Sequence, residues 1–174
     1  MKIFLLGLPG SGKTTLGKRL ATALQLPFID LDKEIERTEG KQIRDIFAEK
    51  KEEYFRKVES AELKKWCAKP DDYVMATGGG APCFFDNIDV INKAGKSIFL
   101  DVPASEIVRR MSTGAARQAG PIEKRPLLAA GGKDGLKDSI EFLRTNRLPY
   151  YKQASIVLSG AAITAEQMVN ALRK

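Results

Sequence analysis

The chain has 174 residues, 43% of them hydrophobic, enough for one domain with a proper core and typical of a globular rather than a disordered or fibrous protein. Lys and Arg outnumber Asp and Glu by 29 to 22, a net charge of +7, but the signs are interspersed; this suits anionic ligands and leaves nucleic acid open without demanding it. There is no histidine, so imidazole is excluded from every catalytic and metal role, and a general base must be a carboxylate, a lysine or water. Cys67 and Cys83 have no metal-ligand companions and read as free thiols of a reducing compartment. The apolar start Met1 to Leu6 is too short for a signal peptide, and no stretch is long enough to span a membrane, so a cytoplasmic protein is expected.

In chain order, Ile3 to Leu6 reads as a buried parallel strand. Gly7-Leu8-Pro9-Gly10-Ser11-Gly12-Lys13-Thr14-Thr15 fits G-x-x-x-x-G-K-[ST], the phosphate-binding loop. Leu16, Leu20, Ala23 and Leu24 then trace one face of an amphipathic helix, so the glycines fall at the strand-to-helix turn the motif requires. Gly7, Gly10 and Gly12 let backbone N–H groups curl round a phosphate chain, the helix N-terminus adds partial positive charge, Lys13 adds a full one, and the Thr14 hydroxyl is placed for Mg²⁺. Nucleoside triphosphate binding is the conclusion.

Pro27 to Asp32 reads as a strand ending in carboxylates, with Asp32 free to cap a helix through Ile35 that stops near Gly40. A helix covers Ile43 to Cys67, with Phe55, Val58, Glu62 and Trp66 on related faces and the mixed-sign run Lys50 to Glu53 on a solvated one. Pro70 to Asp72 is a turn, and Tyr73 to Thr77 is a strand running into Gly78-Gly79-Gly80. A helix over Asp86 to Lys93, a strand over Ser97 to Val102 and a helix from Pro103 through Met111 follow. Ser112 to Lys124, rich in Gly, Ala and Ser, is a lid or a disordered loop. A helix over Asp134 to Leu148 and a strand over Ile156 to Leu158 precede a final helix, marked by a Thr164–Gln167 capping box and an Ile163–Met168 staple. Strands alternating with helices give an α/β fold around a parallel sheet.

Several constellations could carry chemistry. On an extended strand Asp30 and Asp32 point to one side, at the strand end where α/β ligands gather. One could enter a Mg²⁺ shell and the other hold a substrate hydroxyl and draw off its proton, or Asp32 could simply cap a helix. Gly78 to Gly80 allow close approach of a ligand to backbone, or form a plain turn. Arg56, with Glu59 one turn on, Arg125 at the lid edge and Arg147 near a helix end can each fork onto a carboxylate or phosphate, or sit in a surface ion pair. Asn92-Lys93-Ala94-Gly95 lacks the carboxylate of the guanine-reading N-K-x-D, and Leu158 to Ala162 matches a transporter-ATPase signature only superficially, at a strand exit.

Together these residues resemble the shikimate kinase family over nearly the whole chain. The matching pieces run in family order: GLPGSGKTT, FIDLDKEIE, IRDIFAEKKEEYFRKVE, ATGGGA, RPLL and the R-x-P-Y of Arg147 to Tyr150. The resemblance implies a single three-layer P-loop kinase domain over residues 1–174, with a parallel five-stranded sheet in the order 2-3-1-4-5, an acceptor-binding region at about 32–60 and a lid at about 111–126. It implies ATP-dependent phosphorylation of the 3-hydroxyl of shikimate, on the way to chorismate and aromatic amino acids. Gly7, Gly10, Ser11, Gly12, Lys13, Thr14 and Thr15 would bind ATP, with Thr14 and Asp30 at Mg²⁺ and Arg110 against adenine. Asp32 would activate the hydroxyl, Arg56 and Arg147 would clamp the carboxylate, and Gly78, Gly79 and Gly80 would line the ring. Arg125 would swing in with the lid to neutralise the phosphoryl group in flight. The expected partners are ATP and shikimate alone, with no nucleic acid or membrane, and a monomer. Met111 to Lys124 is longer than the usual family lid, and Ser159 to Ile163 lacks the basic and proline residues some members carry. The competing readings are another small-metabolite kinase, for gluconate or a nucleotide, and a nucleotide-dependent nucleic-acid-binding module.

Overall fold

In a computed structural model, described here for residues 1–113 and 132–174, one sheet organises the chain. Its strands are β1 (Lys2–Leu6), β2 (Phe28–Asp30), β3 (Tyr73–Ala76), β4 (Lys96–Asp101) and β5 (Ile156–Ser159), ordered β2-β3-β1-β4-β5. Every pairing is parallel, so each strand needs a helical crossover, and all five C-terminal ends fall on one edge. The central strands are buried on both faces, which is why β1 and β3 read as unbroken apolar runs.

The helices are α1 (Lys13–Leu24), α2 (Leu31–Glu39), α3 (Ile43–Ala68), α4 (Asn87–Ala94), α5 (Ala104–Ser112), α6 (Gly132–Tyr151) and α7 (Ala165–Leu172). α1 packs on β1, β2 and β3 and against α7; α3 packs on α2 and α4. Among the described residues no helix is long and apolar enough to cross a membrane.

Three local expectations are corrected. Ala23 is exposed and Ala21 is buried instead, because α1 turns Leu16, Gly17, Leu20 and Ala21 inward. Gly17 lies so close to β2 that a Cβ there would stand 2.6 Å from the Phe28 ring. The strand ends at Asp30 rather than Asp32, and α2 begins at the next residue. Asp30, not Asp32, is the cap: its Oδ1 accepts from the amides of Asp32 (3.1 Å) and Lys33 (3.4 Å). α3 is also interrupted at Lys51, whose φ of 66° and ψ of 173° break the helical path. That backbone region strongly favours glycine, and nothing in the apolar spacing signals it. Most of the expected lid, including Arg117, Lys124 and Arg125, lies outside the described residues.

The capping box at α7 is complete. The Thr164 amide donates to Gln167 Oε1 (2.9 Å) and the Gln167 amide to Thr164 Oγ1 (3.2 Å), while Ile163 and Met168 are both buried. Thr164→Ala should cost about 1 kcal/mol, a fall in Tm of about 2–4 °C at this chain length, read by thermal denaturation.

Candidate active site

The turn between β1 and α1 wraps a cup of backbone. Gly12 is the N-cap of α1 at φ 95°, a left-handed conformation that a side chain would strain, and it aims the helix N-terminus into the cup. Lys13 Nζ donates to the carbonyls of Gly7 (2.8 Å) and Leu8 (3.0 Å), which holds its charge over the loop. Ser11 is fully buried in the loop wall, and its Oγ finds no protein partner among the described residues. Thr15 follows Thr14 in the first turn of α1. Arg110, from α5, reaches across. Its Nη1 contacts the Gly10 carbonyl (3.3 Å), its Nη2 donates to the Ala161 carbonyl (2.6 Å), and Glu106 holds its Nε (2.8 Å). The guanidinium therefore spans from the phosphate loop to the segment after β5, over the space between them.

Beside the cup, Thr14 Oγ1 donates to Asp30 Oδ2 at 3.2 Å. Among the described residues no cluster of three or more His, Cys, Asp or Glu could hold a metal ion. One hydroxyl and one carboxylate, both hard oxygen donors, fit Mg²⁺, which keeps most of its shell as water and phosphate oxygen; they would not make a closed cage for a transition metal.

The second half of the site lies at the C-terminal end of β3. Three glycines pass through a ring of charged side chains too close for any Cβ. At Gly78 a Cβ would stand 2.6 Å from Glu59 Oε1 and 3.0 Å from Asp32 Oδ1; at Gly79, 2.9 Å from Arg147 Nη1; at Gly80, 2.5 Å from Arg56 Nη1. None of the three has a left-handed φ, so space rather than backbone conformation demands glycine here.

Both arginines are buried, 5% and 6% exposed, where a free cation is costly. Arg56 is neutralised: Nη1 donates to Glu59 Oε2 (2.8 Å), while Nε and Nη2 donate to Glu52 Oε1 (3.2 and 3.1 Å). Its Cζ lies 4.2 Å from the Phe84 ring centroid, a cation–π contact. Arg147 Nη1 is buried with no protein partner among the described residues, and so is Glu59 Oε1. Burial pushes the Glu59 carboxyl upward, with Arg56 and then Arg147 working against it. Asp32 keeps some surface open to the cleft, yet its carboxyl sits deep among protein atoms. Burial first, then the negative charges of Asp30 and Glu59, lift it to about 7 against the pull of Lys13.

The structure thus brings Lys13, Thr14, Asp30 and Arg110 to the phosphate loop, and Asp32, Arg56, Gly78, Gly79, Gly80 and Arg147 to an adjoining cleft. The strand argument for Asp30 and Asp32 fails, because Asp32 belongs to the first turn of α2, but that turn delivers its carboxyl to Gly78 all the same. Sequence reasoning missed Glu52 and Phe84. Glu52 sits in a run read as solvated, and only its i,i+4 spacing to Arg56 hints otherwise; Phe84 carries no signal at all.

Because the Asp32 carboxyl titrates near 7 in the fold and near 3.8 when unfolded, the native state binds the extra proton between those values. Stability should therefore fall as pH rises through that window and stay low above it. At pH 8 Asp32→Asn should raise Tm, by about 2–4 °C per kcal/mol recovered, and flatten the pH dependence of Tm between about 4 and 7. An unchanged or lower Tm in that variant at pH 8 would contradict the strained carboxylate.

Comparison with known proteins meets the same chemistry. The family model described as "Shikimate kinase" matches residues 9–174. The shikimate kinase of Bacteroides fragilis is 40% identical over 157 residues, covering 90% of this chain and 83% of that protein. The one from Bacteroides thetaiotaomicron is 39% identical over 160 residues, covering 92% and 87%. A crystal structure of shikimate kinase from Bacteroides thetaiotaomicron superposes with a TM-score of 0.85 at 37% identity, covering 99% of this chain and 96% of that one. The Acinetobacter baumannii shikimate kinase, solved in complex with shikimate, gives 0.84 at 29% identity, covering 99% and 90%. With the family matched along almost its whole length, the chain belongs to the shikimate kinases.

Proposed function

We propose that this protein transfers the γ-phosphoryl group of ATP to the 3-hydroxyl of shikimate, giving ADP and shikimate 3-phosphate, a step toward chorismate and the aromatic amino acids. The observation that carries the reading is the cleft over Gly79 and Gly80. Two buried guanidinium groups converge there, one with an N–H that has no protein partner among the described residues, and a raised carboxylate stands at the far end beside the phosphate loop. A small acid bearing an alcohol matches that polarity end for end, whereas a neutral sugar or a nucleobase could accept the Arg147 N–H but would bring no negative charge to the buried guanidinium groups.

In this mechanism the loop amides and Lys13 hold the β- and γ-phosphates, and Arg110 covers the nucleotide. Thr14 and Asp30 are the residues that would hold Mg²⁺, which when bound screens the charge of the phosphate chain. Arg56 and Arg147 fix the acceptor carboxylate, so the hydroxyl is presented rather than left to diffuse. Asp32 takes the hydroxyl proton as the oxygen–phosphorus bond forms and the bond to ADP breaks. A carboxylate titrating near 7 is suited to receive that proton at neutral pH. Glu59 accepts from Arg56 and leaves Arg147 Nη1 without a protein acceptor among the described residues. Arg125, outside the described residues, is assigned the neutralisation of the transferring group by its place in the R-P-L-L motif. The same reading makes the protein a monomeric cytoplasmic enzyme needing no partner beyond its two substrates.

A coupled ADP-release assay tests this directly. With Mg²⁺ and ATP, ADP should accumulate at a steady rate only when shikimate is added; equal release without it, or with gluconate or a nucleoside monophosphate in its place, would overturn the reading. In the same assay kcat/KM for shikimate should have an acid limb, falling about tenfold per pH unit below about 7 as Asp32 takes up its proton. Asp32→Asn should lower kcat about 10²–10⁴-fold and abolish that limb.

A further inference from the structure

Tyr151 ends α6 one helical turn after Arg147. Its side chain is fully buried, and its ring packs on Phe99 of β4, centroids 4.9 Å apart. The hydroxyl is not satisfied within its own helix. It donates to the carbonyl oxygen of Gly79, 2.5 Å away and 72 residues back in the chain. Arg147, one turn earlier on the same helix, brings its guanidinium to the same peptide. Its Nη1 is the buried N–H with no protein partner among the described residues, and it stands 2.9 Å from where a Gly79 Cβ would be.

We propose that Tyr151 is a positioning residue of the acceptor site: its hydroxyl ties the end of α6 that carries Arg147 to the Gly79 peptide and so sets the gap between guanidinium and glycine loop into which a carboxylate must fit. The proposal rests on the acceptor reading above. A plain core tyrosine would need only its ring here, and phenylalanine would fill the same volume against Phe99. The hydroxyl adds a fixed link between the two elements that face the ligand, β3 through Gly79 and α6 through Arg147. Without it, the helix end that carries Arg147 is no longer pinned to the glycine loop, and the Arg147 Nη1 loses its direction.

The test is initial-rate kinetics of the full chain with Tyr151→Phe. KM for shikimate should rise about fivefold, the loss of one net hydrogen bond, while KM for ATP and kcat stay within about twofold. In an Arg147→Lys background the guanidinium that the link positions is gone, so adding Tyr151→Phe should change KM for shikimate less than about twofold, the non-additivity expected of coupled residues. Phe99→Leu loosens the same ring packing without touching the hydroxyl; it should lower Tm and leave KM for shikimate near wild type. An unchanged shikimate KM in Tyr151→Phe overturns the proposal. So does an equal rise in both KM values, full additivity with Arg147→Lys, or a Phe99→Leu effect as large as that of Tyr151→Phe. Absence of shikimate-dependent turnover in the wild type is a separate result, the failure of the acceptor reading itself.

Discussion

Two guanidinium groups held out of water against a glycine backbone are the constraint around which this molecule is built. Burying Arg56 and Arg147 would cost several kcal/mol each if they were left bare, and the fold answers the two differently. Arg56 is surrounded: two carboxylates take its N–H groups and an aromatic ring covers its face. Arg147 is left with an N–H that no protein atom accepts among the described residues. The unmatched donor is therefore local, and in the proposed reading a ligand carboxylate completes it. Binding energy is concentrated where an anionic acceptor differs from a neutral one, which is how a small pocket gains selectivity.

The sheet order puts this trap next to the phosphate loop. From β1 the chain jumps to the edge strand β2 and returns inward to β3 beside β1, then crosses to β4 and β5 on the other side, so the crevice at the strand ends opens where the direction reverses. The β3 side supplies the acceptor cleft through Gly78 to Gly80. The β4 side supplies Arg110, which reaches back to Gly10. Asp30 and Asp32 stand at the join. The first caps α2 and meets Thr14, and the second turns into the cleft at Gly78. Two residues of sequence thus separate the carboxylate proposed to face the metal from the one proposed to accept the proton, and the abrupt change from strand to helix at Leu31 is what points them to different places.

Much of this was legible in the chain itself. Apolar runs of strand length, the phosphate-loop spacing and the capping box at Thr164 are local signals whose physics does not depend on the rest of the fold, and apart from the early end of β2 these elements form where their residues imply. Long-range geometry was another matter. Nothing in the sequence says that α3 breaks at Lys51, that Phe84 lies over Arg56, or that the Tyr151 hydroxyl meets Gly79, because those contacts join residues that only the finished sheet brings together. Asp32 shows how a sound location can come from a wrong premise: it was assigned to the strand face by alternation, yet it reaches the cleft from a helical turn. The face of α1 was misjudged at Ala23 because alanine adds too little apolar weight to fix a helical phase.

The most direct measurement of the central claim is a crystal structure of the protein with shikimate and ADP bound. The account predicts the shikimate carboxylate between Arg56 and Arg147 over Gly79 and Gly80, accepting from Arg147 Nη1, with the 3-hydroxyl on Asp32 and pointing at the phosphate loop. A carboxylate turned toward Lys13, or an Arg147 Nη1 still without a partner in the complex, would contradict it.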